Sequence, residues 1–222
     1  MRTPPFLTDW PAPTWQELAG QFVTLRPTDP ERDAPGLYAA GHVGNGIEGI
    51  WRYMATPGPL DSPDAVRAYL ETLVGRTDWL PFTVVRAGTP VGMISILRIE
   101  PEHGVAELGA IWYAPDAQRT KVNTESVYLL LKHLFETGGY RRIEWKCDAR
   151  NVPSSRAATR LGFTYEGCFR QHQVRKGENR DTLWFSMLDH EWPERRAALA
   201  RWLYSGDAFS LAAFHAHLPA AP

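Results

Sequence analysis

Two cysteines in 222 residues, Cys147 and Cys168, are too few for a disulfide framework, and both read as ordinary half-buried thiols. Neither sign of charge dominates. Lys+Arg number 24 against Asp+Glu 25, a formal net charge of -1. No basic excess asks for a nucleic-acid backbone, so any anionic ligand must be met by local groups. No window approaches the roughly 18 apolar residues that a membrane span needs. The opening MRTPPFLTDWPAPTW holds one Arg followed by prolines and aromatics, not the apolar stretch of a secretion signal. Repeats and low-complexity tracts are also missing. These absences lead to the expectation of one soluble, cytoplasmic domain with neither a membrane nor a nucleic-acid partner.

What is present is patterned. Residues 1–20, rich in proline and aromatics, read as an arm on the domain surface. QFVTLRP (21–27) alternates as a short strand, and helices are expected over 32–43 and 63–76, the second opened by Asp61, Ser62 and Pro63. Residues 82–99, broken by the turn Ala87-Gly88-Thr89-Pro90, and 105–114 predict an antiparallel meander. From Asn123 a helix carries Val127, Leu130, Leu131, Leu134 and Phe135 at helical spacing until Gly138-Gly139. A strand over 141–149 and a helix from Asn151 to Leu161-Gly162-Phe163 follow, then a hairpin turning at Gly177-Glu178-Asn179-Arg180 and a last helix from Pro193. The pattern divides into the arm, a main domain over 21–190 and a helical extension over 191–222. The fold class is α+β, with a mixed, mostly antiparallel sheet of about seven strands flanked by helices.

A strand feeding the helix near Asn123 aims that helix's free N–H groups at the loop 116–124, where Arg119 and Lys121 add charge and Thr120 and Thr124 add hydroxyls. This chemistry suits a diphosphate; a capped helix with two solvated cations explains the same residues equally well. Asn151-x-x-Ser154 is likewise good capping chemistry. Taken in order, however, Trp112-Tyr113-Ala114-Pro115, Gln118-x-x-x-Val122-x-Thr124, Asn151-x-x-Ser154 and Leu161-Gly162-Phe163 resemble the GNAT acetyltransferases, most nearly the RimJ/RimL type that acetylates protein α-amines. The resemblance covers about residues 21–190.

That resemblance implies a GNAT fold, an N-acetyltransferase activity, acetyl-CoA as co-substrate, an amine acceptor and no metal; a homodimer is compatible with it. Position by position it implies that the backbone at Ile111 and Trp112 pairs with the pantetheine arm. Gln118, Arg119, Thr120, Lys121, Val122, Asn123 and Thr124 form the loop that holds the diphosphate. Lys121 and Asn123 replace the small residues of the family pattern, so Lys121 is expected to contribute directly. Asn151 contacts the pantetheine arm, and Ser154 is the acid to the leaving sulfur. Gln173 stands where the relatives carry a Glu and cannot take a proton. Glu107 and His172 are therefore the candidate bases. For the acceptor, Trp51 and Tyr53 are expected to form an aromatic wall, with Arg170, Glu178, Arg180 and Asp181 orienting a charged substrate. An α-amine of pKa about 8 is roughly a tenth neutral at pH 7, against less than about one part in a thousand for a lysine amine. The expected acceptor is a protein N-terminus, the alternatives being a small-molecule amine or a CoA-binding module without turnover.

Overall fold

Alternating residues of the first half pair as successive antiparallel strands in the computed structural model, which describes residues 9–56, 58–206 and 208–216. They are β1 (Leu18–Ala19), β2 (Thr24–Pro27), β3 (Trp79–Arg86), β4 (Thr89–Glu100) and β5 (Val105–Tyr113). Between β2 and β3 lie α1 (Pro30–Gly41), α2 (Glu48–Trp51) and α3 (Pro63–Glu71). The second half runs α4 (Lys121–Lys132), β6 (Arg142–Asp148), α5 (Val152–Arg160), β7 (Thr164–Arg175), β8 (Glu178–Leu188), α6 (Trp192–Tyr204) and α7 (Leu211–Ala216). The eight strands form one sheet in the order β1-β2-β3-β4-β5-β6-β8-β7. Only β5 and β6 run parallel, because α4 is the crossover between them.

Several elements differ from the sequence expectation. The sheet has eight strands rather than about seven, since Leu18–Ala19 of the arm pairs with Leu25 and Thr24. Residues 1–8 of the arm lie outside the described residues, and its described part does not merely lie on the surface: Trp10 is 4 % exposed within the main core, and its indole donates to the Gly139 carbonyl. The placement of Trp10 and of Leu18–Ala19 is therefore decided by long-range packing, which local proline content cannot report. Helix α4 begins at Lys121 instead of Asn123, because Thr120 takes the N-cap position, its hydroxyl accepting from Val122 N. The closing hairpin turns at Lys176-Gly177, where φ is +51° and +78°, so Glu178 already belongs to β8. Cys147 is buried and Cys168 exposed, and both are free thiols rather than half-buried ones.

The core has two parts, one on each face of the sheet. The larger lies under α4, α5 and α6, with Leu130, Leu131, Leu134, Ile143, Leu161 and Leu199 fully buried. On the opposite face α1 and α3 cover a smaller cluster of Leu37, Val66, Leu70, Met93, Trp51 and Trp112. Burying a side chain of this size contributes about 1.5–3 kcal/mol. Leu199, Leu203 and Leu211 of the C-terminal helices share the larger core with the strands.

Candidate active site

The sheet opens where β5 and β6 part. They pair only over Val105–Glu107 and Arg142–Glu144, after which the strands diverge. The divergence has a local cause on β5: the register against β4 shifts between Met93 and Ser95, and Ala110 adopts a left-handed φ of +50°. Gly92 permits the bulge, since a Cβ there would lie 2.2 Å from the Trp112 carbonyl oxygen. Beyond Glu107, the β5 backbone facing β6 has no strand partner, which leaves Ile111 in a stretch of edge that an extended ligand arm could join.

At the mouth of this opening sits the first turn of α4. Thr120 caps Val122 N at 3.3 Å while donating to the Ala117 carbonyl at 2.6 Å, and Arg119 turns the chain with φ +60°. The amides of Lys121 and Asn123 have no acceptor among the described residues, as expected for an open helix N-terminus. Gln118 is spent on its own loop, donating to the Tyr113 carbonyl at 3.0 Å, and Asn123 accepts from the Tyr113 hydroxyl at 3.2 Å.

Lys121 does not face this turn. Its ammonium donates to the Leu203 carbonyl at 2.5 Å and lies 4.3 Å from the centre of the Phe22 ring. The carbonyl end of α6 attracts it more than the loop does, so the direct contribution expected of Lys121 is not what the structure places there. Arg160 of α5 stands beside the turn in its stead. Its guanidinium donates to Thr124 Oγ1 at 2.9 Å, packs 5.5 Å from the Trp202 ring, and has no carboxylate partner among the described residues. Nothing local in the sequence distinguishes Arg160; only the crossover topology brings α5 next to α4. Open amides together with an uncompensated arginine fit a diphosphate.

Asn151 caps α5, accepting from Ser154 N at 3.2 Å, which leaves its side-chain nitrogen available. The Ser154 hydroxyl accepts from the Trp145 indole at 3.1 Å and lies against Cys147, whose thiol is raised chiefly by burial and lowered in part by that contact. Trp145 and Cys147 share one face of β6, and Glu144 and Lys146 take the other. The alternation in residues 142–148 carries that signal, though not the contacts.

Lys146 reaches Glu107 across the divergence, with 2.5 Å between Nζ and Oε2, and lies 4.1 Å from the Trp184 ring. Burial raises the Glu107 carboxyl, and the charges of Lys146 and Arg98 offset only part of that rise. His172 stands on the bulged stretch of β7, its Nδ1 3.0 Å from Thr182 Oγ1 and its ring beside Phe169 and Trp184. Burial, then the charges of Arg180, Lys146, Arg98 and Arg175, holds its pKa below the usual imidazole value.

The acceptor residues divide. Trp51 is 2 % exposed, donates to the Gly41 carbonyl at 2.6 Å and packs on His42 and Trp112. It therefore belongs to the core under the cleft and is not an open stacking face. Trp112 is also buried in this cluster, so only its backbone is offered to a ligand. Tyr53 does line a cavity of about 180 Å³ between the segment after α2 and the β7–β8 hairpin, with Arg52 and Met54 on the same wall. Asp181 accepts from Gln171 N at 2.7 Å and Asn179 Nδ2 at 2.9 Å, which pins the β7 bulge rather than facing that cavity; Arg170 is exposed outside it.

Residues 23–164 match the profile of the acetyltransferase (GNAT) domain. Among solved structures, a GCN5-related N-acetyltransferase from Brucella melitensis superposes with a TM-score of 0.88 at 35 % identity, covering 94 % of this chain and 98 % of that one. The ribosomal-protein-serine acetyltransferase of Escherichia coli (strain K12) is 33 % identical over 90 residues, 40 % of this chain and half of that protein's length. An acetyltransferase from Salmonella typhimurium that modifies the N-terminal serine of a 50S ribosomal subunit protein shares the fold, with a TM-score of 0.68 at 21 % identity over 78 % of this chain and 99 % of that one.

Proposed function

The chain belongs to the GNAT acetyltransferase family, and from that premise we propose that it moves an acetyl group from acetyl-CoA to the α-amine of a protein N-terminus by direct attack. The observation that supports this most is the opening between β5 and β6, which faces the open first turn of α4 and the uncompensated Arg160. Amides of that turn and Arg160 hold the diphosphate, while the free edge of β5 and the Asn151 side chain hold the pantetheine arm. When bound, the thioester supplies an activated acyl carbon.

The chain's own groups manage the protons. A protein α-amine of pKa about 8 is about half neutral near pH 8, so a single base of modest strength, taking the proton the nitrogen loses on acylation, serves it. Glu107 fits the role better than His172, because burial moves its pKa upward toward working pH, whereas the surroundings of His172 move that one away. Ser154, once turned from Cys147, has the hydroxyl proton that a departing thiolate requires. No step calls for a metal. A protein acceptor is supported by the name of the E. coli relative, a ribosomal-protein-serine acetyltransferase, and the N-terminal serine named for the Salmonella protein supports an α-amine on it. The buried Trp51 removes the open aromatic wall that would have favoured a planar small molecule.

The experiment is a titration of the purified chain with CoA, followed by thiol release from acetyl-CoA in the presence of N-terminal peptides and of small amines. Micromolar binding and thiol release with free α-amine peptides, abolished by blocking that amine, are expected. Binding without release from any amine would point to a module without turnover, and absence of binding would remove the reading.

A further inference from the structure

The cavity between the segment after α2 and the closing hairpin is strongly cationic. Five of its lining residues are Arg52, Arg150, Arg175, Lys176 and Arg180, against two acids, Asp148 and Glu178. Both acids are already taken by Arg150, which bonds Asp148 at 3.0 Å and Glu178 at 2.6 Å. The remaining four cations have no ion-pair partner among the described residues. Lys176 donates to the Trp51 carbonyl at 2.6 Å and so straps the hairpin tip onto the α2 segment, closing one side of the cavity. Arg180 is half-buried; among the described residues its Nε has no hydrogen-bond partner, and its head donates only to the neutral Gln173, at 3.5 Å. Holding cations this close without a counter-ion is costly unless an anion completes the set.

The cavity also adjoins the groups that handle the amine. Asp148 of its lining is the register partner of Thr182, which holds His172, and Lys146, the partner of Glu107, lies two residues before Asp148 on β6. We propose that the acceptor carries an anionic group, a carboxylate or a phosphate monoester near its amine, which enters this cavity and is bound by Arg180 and Arg175 with Arg52 on the facing wall. The inference rests on the acetyltransferase reading and deepens it: the preferred N-terminus is one followed by acidic or phosphorylated residues.

The test uses the full chain, acetyl-CoA and matched peptide amides that begin with serine and continue with two aspartates, two asparagines, two lysines or one phosphoserine. Charge-assisted bonds of this kind predict a kcat/KM roughly 10- to 100-fold higher for the aspartate peptide than for the asparagine peptide, shrinking as salt rises. The phosphoserine arm tells whether carboxylate or phosphate is preferred. Arg180→Gln and Arg175→Gln are expected to bring the ratio close to one, and Arg175→Glu to turn it toward the lysine peptide. Equal rates for acidic and neutral peptides would overturn the inference while leaving the acetyltransferase reading intact. Should no peptide release thiol, binding of the aspartate peptide followed by tryptophan fluorescence decides the matter: salt-sensitive binding lost in Arg180→Gln upholds the cavity's role, and no binding refutes it.

Discussion

Glu107 and His172 are both near the opening, yet their surroundings push them in opposite directions. Glu107 is 7 % exposed and its pKa is raised by burial, so it loses its proton later than an ordinary carboxyl as pH rises. Desolvation, then the charges of Arg180, Lys146, Arg98 and Arg175, lowers the pKa of His172 below the usual imidazole value. Replacing Glu107 with Gln should lower kcat/KM by about 100-fold or more and remove from the pH–rate profile the acid limb that the enzyme adds to the amine's own ionisation, because the enzyme group that must be ionised is gone. His172→Ala should change kcat/KM by less than about 10-fold and keep that limb. A pH series of kcat/KM for both variants checks this, and a lost limb in His172→Ala alone would exchange the two roles.

At the scale of elements, the first turn of α4 is held by its neighbours more than by its own loop. Lys121 ties it to the carbonyl end of α6, and Glu125, fully buried one turn on, accepts from the amides of Gln21, Phe22 and Val23 and from the Tyr204 hydroxyl. A lysine can replace the small residue of the family pattern because its side chain leaves toward α6 and does not fill the turn. Lys121→Met should therefore cost about 1–2 kcal/mol of stability, read as a lower melting temperature. Its CoA dissociation constant should change less than about threefold. Arg160→Gln should do the opposite, weakening CoA roughly 10-fold or more by titration with little change in melting temperature.

Across the whole molecule, the second core couples folding to pH. His42 at the end of α1 is buried between Trp51, Tyr38 and Trp112 and accepts from Leu60 N at 2.7 Å, so it must stay neutral, with its pKa lowered by burial to about 4. The unfolded chain takes up a proton near pH 6.5 that the folded chain refuses until about pH 4. Stability should be fully present above pH 6.5 and fall as pH drops toward 4, by at most about 1.4 kcal/mol per pH unit from this group. Urea midpoints measured between those limits should fall with pH, and His42→Asn, which still accepts from Leu60, should make that slope shallower, the buried His133 and half-buried His215, whose pKa values are also lowered by burial, supplying part of the remainder.

The order of strands and helices was legible from alternation and helical spacing alone, because each short-range pattern agrees with the element it forms: Val127 to Phe135 face the core as their spacing requires, and Ala87-Gly88 turns as its composition demands. A helix opening from the loop near residue 120 was legible for the same reason, since capping is local chemistry. Which groups serve that turn was not. Lys121 turns away, Arg160 arrives from another helix, Trp51 sinks into the core, and the cations of the hairpin meet Arg52 only after the sheet is assembled. Such choices depend on contacts between residues tens of positions apart, where a side chain's direction is set by which neighbours compete for it, and that competition exists only in the folded molecule.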